Sequence, residues 1–240
     1  MKLRIDKYLA DMGVGTRSEV KSYLRKKMVL VNGVCPEGPG QKVDTAKDQV
    51  TFQGKPVGYV EKEYYLFHKP AGCVSAVRDD RYRTVIDYIE DKNRKDLFPV
   101  GRLDLDTEGL LFITNDGELS HRLLAPGKHV EKTYYARIAG RVTEEDIRLF
   151  REGLDIGEKK LTLPAELVIL KSGEESEIEL TITEGKYHQV KRMFEAVGKQ
   201  VVYLRRISMG GITLPVELAP GAYRLLTVEE KQKLGITIEE

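Results

Sequence analysis

The chain has little sulfur chemistry. Its two cysteines, Cys35 and Cys73, stand far apart among 240 residues, and neither has a neighbour at metal-ligand spacing. A disulfide framework and a thiolate metal centre are thereby excluded, and two reduced thiols in a cytoplasmic protein are expected. No apolar run is long enough to span a bilayer as a helix. Met1-Lys2-Leu3-Arg4-Ile5-Asp6 has no apolar core segment, so no signal peptide is expected. Low-complexity tracts and obvious repeats are missing. So are the glycine-rich fingerprints of nucleotide binding: there is no P-loop and no G-x-G-x-x-G after a strand. Net charge is almost absent too, since 39 Lys and Arg face 38 Asp and Glu, and a balance of +1 names no partner by itself.

What is present is enough apolar residue, 41%, to bury a core, and enough charge, 32%, to stay in water. The length suits one large domain or two unequal ones. Charge is unevenly spread. Residues 1–59 carry eleven basic and six acidic side chains, a local +5 that leaves −4 for the remainder. A small basic module on a mildly acidic body points to a polyanion-binding appendage.

In that module Leu3, Ile5, Tyr8, Leu9 and Met12 recur at helical spacing, and Gly13 ends the run. Thr16 and Glu19 form the T-x-x-E capping pattern that opens a second helix. Arg17, Lys21 and Arg25, four apart, share one face of it. Val29-Leu30-Val31 then enters a turn at Asn32-Gly33. The basic face is either a solvated surface or a phosphate contact, and the clustering favours phosphate. Residues 1–58 resemble the S4 RNA-binding domain in element order and in the string from Arg17-Ser18-Glu19 to Val29–Gly33. That resemblance implies that Arg17, Lys21 and Arg25 contact RNA.

Residues 59–63 read as a linker, and 64–240 as the larger domain. Strands are expected at 64–67, 109–114, 132–139, 165–170, 178–183, 201–207 and 212–214. Helices are expected at 85–90, 117–124, 144–152, 189–197 and 228–234. Strands and helices mix without strict alternation, which predicts an α+β fold with a mostly antiparallel mixed sheet flanked by helices.

The most telling stretch is Gly101-Arg102-Leu103-Asp104-Leu105-Asp106-Thr107-Glu108-Gly109, set directly before an apolar strand. A carboxylate held beside a fixed cation in a cleft is a candidate nucleophile or base. The same residues could equally make a solvent-facing loop, and Asp104-x-Asp106 could hold Mg²⁺. Three further segments place polar chemistry at element ends: His68-Lys69-Pro70-Ala71-Gly72, Glu131–Tyr135, and Glu184–Phe194. Taken singly, Tyr134 reads as a half-buried core residue, Lys191 and Arg192 as solvated, and His188 as a cap.

Together these segments resemble the RsuA-type branch of the RNA pseudouridine synthases. The resemblance rests on Arg102-Leu103-Asp104, Lys132-Thr133-Tyr134, Lys69-Pro70 and the full string Glu184-Gly185-Lys186-Tyr187-His188-Gln189-Val190-Lys191-Arg192-Met193. The tail joins them, with Arg206-Ile207 through Gly210–Leu214, Leu218–Gly221 and Tyr223-Arg224. It implies that Asp104 is the catalytic aspartate and that Tyr134 stacks on the uracil ring and assists at its C5 position. Lys191 falls where a basic residue pairs with the aspartate. Ile182 would supply an apolar contact, Arg102 would help displace the flipped nucleotide, and Lys69 would join the substrate contacts. The implied partner is ribosomal RNA, 16S or a small-subunit assembly intermediate, with uridine 516 as target; relatives of the same two-domain build act on 23S ribosomal RNA. An isomerisation without redox change needs no cofactor or metal. A cytoplasmic monomer with no membrane partner is expected. The competing readings are a non-catalytic RNA-binding assembly factor and a D-x-D metal-dependent transferase.

Overall fold

In a computed structural model that describes residues 1–237, the chain divides into two compact units. Met1–Glu63 with Glu90–Leu97 forms the first, and Tyr64–Ile89 with the chain from Phe98 forms the second.

The first unit opens with strand β1 (Lys2–Arg4), not with helix. Leu3 pairs with Val43 of β3 (Lys42–Asp44), and the Ile5 amide donates to the Gln41 carbonyl at 2.8 Å. These sheet bonds delay helix α1 to Ile5–Asp11, although Leu3 fits its apolar spacing. The Thr16–Glu19 capping box forms as expected and starts α2 (Arg17–Arg25). β2 (Val29–Val31), β4 (Val50–Phe52) and β5 (Lys55–Pro56) make a small antiparallel sheet. Asn32 and Gly33 both take positive φ in the turn after β2, where a side chain is strained and glycine is not. Ile5, Tyr8, Leu9, Val20, Val29, Val31, Val43 and Val50 form the core.

Residues 90–97, expected within the larger domain, pack with this unit through the Glu63 carboxylate, which accepts from the Asn93 and Arg94 amides at 3.2 and 2.9 Å, and through one cation. The Arg94 side chain is 4% exposed. It donates to both Asp96 carboxylate oxygens at 2.8 and 2.6 Å and to the Tyr59 hydroxyl at 3.2 Å. It also lies 3.5 Å from Asp11. The expected linker at 59–63 therefore holds part of this packing.

The second unit is built on a nine-stranded sheet. Its strands are β6 (Tyr64–Lys69), β7 (Phe98–Pro99), β8 (Glu108–Thr114), β9 (Lys132–Ala139), β10 (Glu166–Lys171), β11 (Glu175–Ile182), β12 (Gln200–Met209), β13 (Ile212–Thr213) and β14 (Tyr223–Leu225). The main order is β10-β11-β9-β12-β8-β6-β14, with β7 on β8 and β13 on β12. Every pairing is antiparallel except β8 with β12. Helices α3 (Gly117–Leu124), α4 (Glu144–Glu152), α5 (Gln189–Ala196) and α6 (Val228–Lys233) accompany the sheet. Tyr64, Leu66, Leu110, Phe112, Leu119, Leu123 and Met209 belong to its core. The expected helix at 85–90 is a single 3-10 turn, Val85–Tyr88, because the chain leaves this unit at Glu90.

The parallel pair is short, Arg205 beside Glu108 and Arg206 beside Gly109, yet it joins β10-β11-β9-β12 to β8-β6-β14. Gly109 is required there. A Cβ on it would lie 2.2 Å from the Arg206 carbonyl oxygen, and its φ is +112°.

Candidate active site

The 101–107 turn sits between β7 and β8, at this seam. Gly101 bends it with φ +79°, and Leu103 is buried. Ser75 Oγ bridges both backbone groups of Leu103, accepting from its amide and donating to its carbonyl at 3.0 Å each. The Thr107 amide closes the turn onto the Asp104 carbonyl at 3.1 Å. Lys69 fixes the turn from beneath. It is fully buried, and its Nζ donates to the carbonyls of Asp104 and Thr107 at 2.9 Å and of Pro70 at 3.1 Å. Burial pushes its ammonium below the usual lysine range, while Cys73 and the carboxylates around the turn oppose that fall. The expected substrate contact at Lys69 is therefore corrected: all its donors face inward, and it holds the backbone that presents Asp104.

Strand alternation builds the floor. On β9, Lys132 and Tyr134 point to one face. Ile182 of β11 pairs with Lys132, and Arg206 of β12 pairs with Tyr134, so all four side chains share that face. Ile182, Tyr134, Lys132 and Arg206 are 3%, 8%, 7% and 2% exposed.

The third wall comes from the turn into α5. Gln189 locks it, accepting from the Lys186 amide and donating to Glu184 Oε1, both at 2.9 Å. His188 takes φ +49°, a left-handed conformation uncommon outside glycine, and stacks on Tyr187 at 3.8 Å. One helical step on, Lys191 Nζ reaches Asp104 Oδ2 at 3.2 Å and Asp106 Oδ1 at 2.6 Å. His188 Nε2 stands 3.5 Å from Asp104 Oδ1.

Lys191 is thus shared by two carboxylates, where the sequence paired it with Asp104 alone. Its own burial would lower its pKa, but Asp106 and Asp104 outweigh that and raise it. Burial likewise lifts the Asp106 carboxyl, and the Lys191 hydrogen bond and charge more than reverse the effect. The cation between the two aspartates is this ammonium, in the place where a D-x-D metal would sit.

Arg102, Asp104, Lys132, Tyr134, Ile182, His188, Lys191 and Arg206 line one cleft of about 590 Å³, a size that holds a nucleoside. Asp104, with a side chain 26% exposed, is reachable from the cleft, and Arg102 is exposed on its lining. Five expected residues therefore come together: Asp104, Tyr134, Lys191, Ile182 and Arg102. Arg17, Lys21 and Arg25 lie exposed on α2 of the first unit. His188, Asp106, Lys132 and Arg206 are cleft or near-cleft groups that sequence reasoning leaves unassigned. Strand alternation at Leu204 and Arg206 was the available signal for the last.

The chain's resemblances follow the same outline. The sequence profile described as RNA pseudouridylate synthase matches residues 63–196. An uncharacterized RNA pseudouridine synthase of Bacillus subtilis is 47% identical over 97% of this chain and 98% of its own length. The ribosomal small subunit pseudouridine synthase A of Escherichia coli is 38% identical over 95% of this chain and 98% of its own. A crystal structure of a pseudouridylate synthase superposes with a TM-score of 0.68 at 38% identity, covering 97% of this chain and 99% of the other.

Proposed function

The chain belongs to the RNA pseudouridylate synthase family and is an RNA uridine isomerase; from that premise we propose that it converts one uridine of small-subunit ribosomal RNA, uridine 516, to pseudouridine. The observation that carries the reading is the Asp104–Lys191 pair facing Tyr134 across the cleft.

Folded RNA hides the target atoms, so the nucleotide is extruded into the cleft. Arg102, exposed on the cleft lining, helps displace it, and Tyr134 and Ile182 provide the aromatic and apolar floor on which the base rests. An Asp104 carboxylate oxygen bonds to C1′ as the N1–C1′ bond breaks, and the electron pair leaves with the base. The base turns, and its C5 attacks C1′ and displaces the carboxylate with its electrons. C5 then loses a proton with help from Tyr134, and N1 gains one. Atoms and electrons balance within the nucleotide, so no oxidant or cofactor enters. Lys191 keeps a cation beside the attacking carboxylate throughout.

The first unit acts as an S4-like RNA-binding module whose α2 face, Arg17, Lys21 and Arg25, grips RNA backbone. Met1–Glu63 with Glu90–Leu97 supplies that module, and Tyr64–Ile89 with the chain from Phe98 supplies the catalytic body. The likeness to small-subunit synthases supports 16S ribosomal RNA or an assembly intermediate as partner, with the protein acting as a cytoplasmic monomer.

The deciding experiment is a pseudouridine map of ribosomal RNA from cells with the gene, without it, and with Asp104→Asn. A single position is expected to lose its pseudouridine in the latter two, while purified Asp104→Asn protein still binds RNA. An unchanged map would favour a non-catalytic assembly factor, and a lost position in 23S ribosomal RNA would move the target to the large subunit.

A further inference from the structure

Two cations on the cleft floor have no counter-charge. Arg206 is 2% exposed and uses Nε on the Leu110 carbonyl at 2.8 Å, but its Nη2 is buried with no hydrogen-bond partner. Lys132, 7% exposed, donates to the Val130 carbonyl at 2.8 Å. Neither makes an ion pair with a carboxylate among the described residues, because the cleft's acidic groups are engaged elsewhere: Asp104 with Lys191 and His188, Glu184 with Gln189 and Lys186. Burial and the charge of Arg206 both push the Lys132 ammonium below the usual lysine range.

Buried charge without a partner costs several kcal/mol per ion, so this arrangement is destabilising in the empty protein. Fixed charges of that kind stabilise a reaction only if opposite charge develops beside them. The placement says where. Arg206 is the cross-strand neighbour of Tyr134, and Lys132 lies two residues along the same face, so the two flank the ring on which the base rests. RNA phosphates remain outside with the exposed Arg102. The group that reaches this depth is the base.

Resting on the isomerase reading above, we infer that Arg206 and Lys132 form an anion site for the detached uracil and are further catalytic residues of the reaction. When N1–C1′ breaks, the electron pair goes to N1 and its charge spreads to O2 and O4. The two cations receive that charge at the edge of the stacked base. When C5 bonds to C1′ the base is neutral again, and as C5 loses its proton and N1 gains one the site releases it. A neutral uridine gains little from the pair, so the stabilisation favours the bond-breaking step over ground-state binding.

The probe is 5-nitrouracil, an anion at neutral pH, compared with neutral uracil by equilibrium dialysis against the full chain. The unsubstituted protein is expected to bind the anion at least about tenfold more tightly, and Arg206→Met and Lys132→Met each to bring that ratio toward one. In single-turnover reactions on ribosomal RNA from cells lacking the gene, each variant is expected to slow isomerisation by about 100-fold, with RNA affinity unchanged. Arg206→Lys should recover part of the rate. Circular dichroism identifies a variant that fails to fold, and Lys132→Met, close in shape to lysine, then reads the site alone. Equal binding of anion and neutral base by the unsubstituted protein overturns the inference, as does a folded variant with full rate. A fall in RNA affinity with no change in rate would assign the cations to phosphate and also overturn it. If the unsubstituted protein modifies no ribosomal RNA, the isomerase reading fails, while the dialysis ratio still reports on the anion site.

Discussion

Gly109→Ala tests whether the seam between β8 and β12 assembles the site. The added Cβ would stand 2.2 Å from the Arg206 carbonyl oxygen, 2.6 Å from its nitrogen and 2.9 Å from its carbonyl carbon. Van der Waals contact needs roughly 3.5 Å, so the deficit exceeds 1 Å against backbone that cannot rotate away. A φ of +112° adds strain for any residue with a Cβ. Overpacking of about 1–3 kcal/mol and backbone strain of about 1–3 kcal/mol together give about 2–6 kcal/mol. In a chain of this size that lowers Tm by about 10 °C. Separating Arg206 from Gly109 also lengthens the Arg206 Nε bond to the Leu110 carbonyl, now 2.8 Å, and moves the cleft floor away from Asp104. Urea unfolding and thermal melting measure the loss, and Gly101→Ala is the control. Its Cβ would approach Leu124 Cδ2 at 2.9 Å, a side-chain tip that can turn away, so a smaller cost is expected despite its φ of +79°. Gly109→Ala within about 1 kcal/mol of the unsubstituted protein, or no worse than Gly101→Ala, would refute the argument.

Lys69→Met leaves the Asp104, Thr107 and Pro70 carbonyls without their shared donor. Isomerisation should fall at least about tenfold through a displaced Asp104, with RNA affinity retained in filter binding. Replacing Arg17, Lys21 and Arg25 together by Gln should weaken RNA binding and reduce the slope of log K against log salt by about 2–3; an unchanged slope would remove α2 from the RNA interface. The Arg224–Glu230 pair predicts a pH dependence. Arg224 donates through both Nη atoms to Glu230 at 2.7 Å and holds that carboxyl below its ordinary range. A depressed folded-state pKa contributes fully above the unfolded value of about 4.3 and is lost as pH falls through the folded one. Glu230→Gln should cost about 1 kcal/mol at pH 7, discounted for partial exposure, and flatten the loss of stability below pH 4 in urea titrations.

The sequence makes some of this legible and hides the rest for identifiable reasons. β9 is readable to the residue, Lys132–Ala139, because its alternation is unbroken. α3 and α4 are equally readable, since Asp116 and Thr143 mark their starts. β1 escapes notice because Leu3 suits the helical spacing, while its backbone pairs with a strand some forty residues away. The excursion of 90–97 escapes because it rests on Glu63 and on Arg94, whose partners Asp11 and Tyr59 lie far off in sequence. At the site, motif strings bring Asp104, Tyr134 and Lys191 to attention. Burial decides what the strings leave open. Lys69 and Lys191 look alike in sequence, yet one faces backbone carbonyls and the other two carboxylates.

That contrast extends to other cations at the cleft, and it orders them by function. Lys191 is matched by two carboxylates, so it organises a charge already present. Lys69 is matched by carbonyl dipoles alone, so it fixes a backbone. Arg102 is exposed, and water screens it until RNA arrives. Arg206 and Lys132 are buried with one carbonyl contact each and no matching charge, and low dielectric makes that a costly arrangement. A fold that only needed stability would replace them with apolar residues of similar volume, a change that is often neutral or favourable for buried ionic groups. Their presence on the floor is therefore best explained by charge that appears there transiently, and the bond broken above Tyr134 is the step that supplies it.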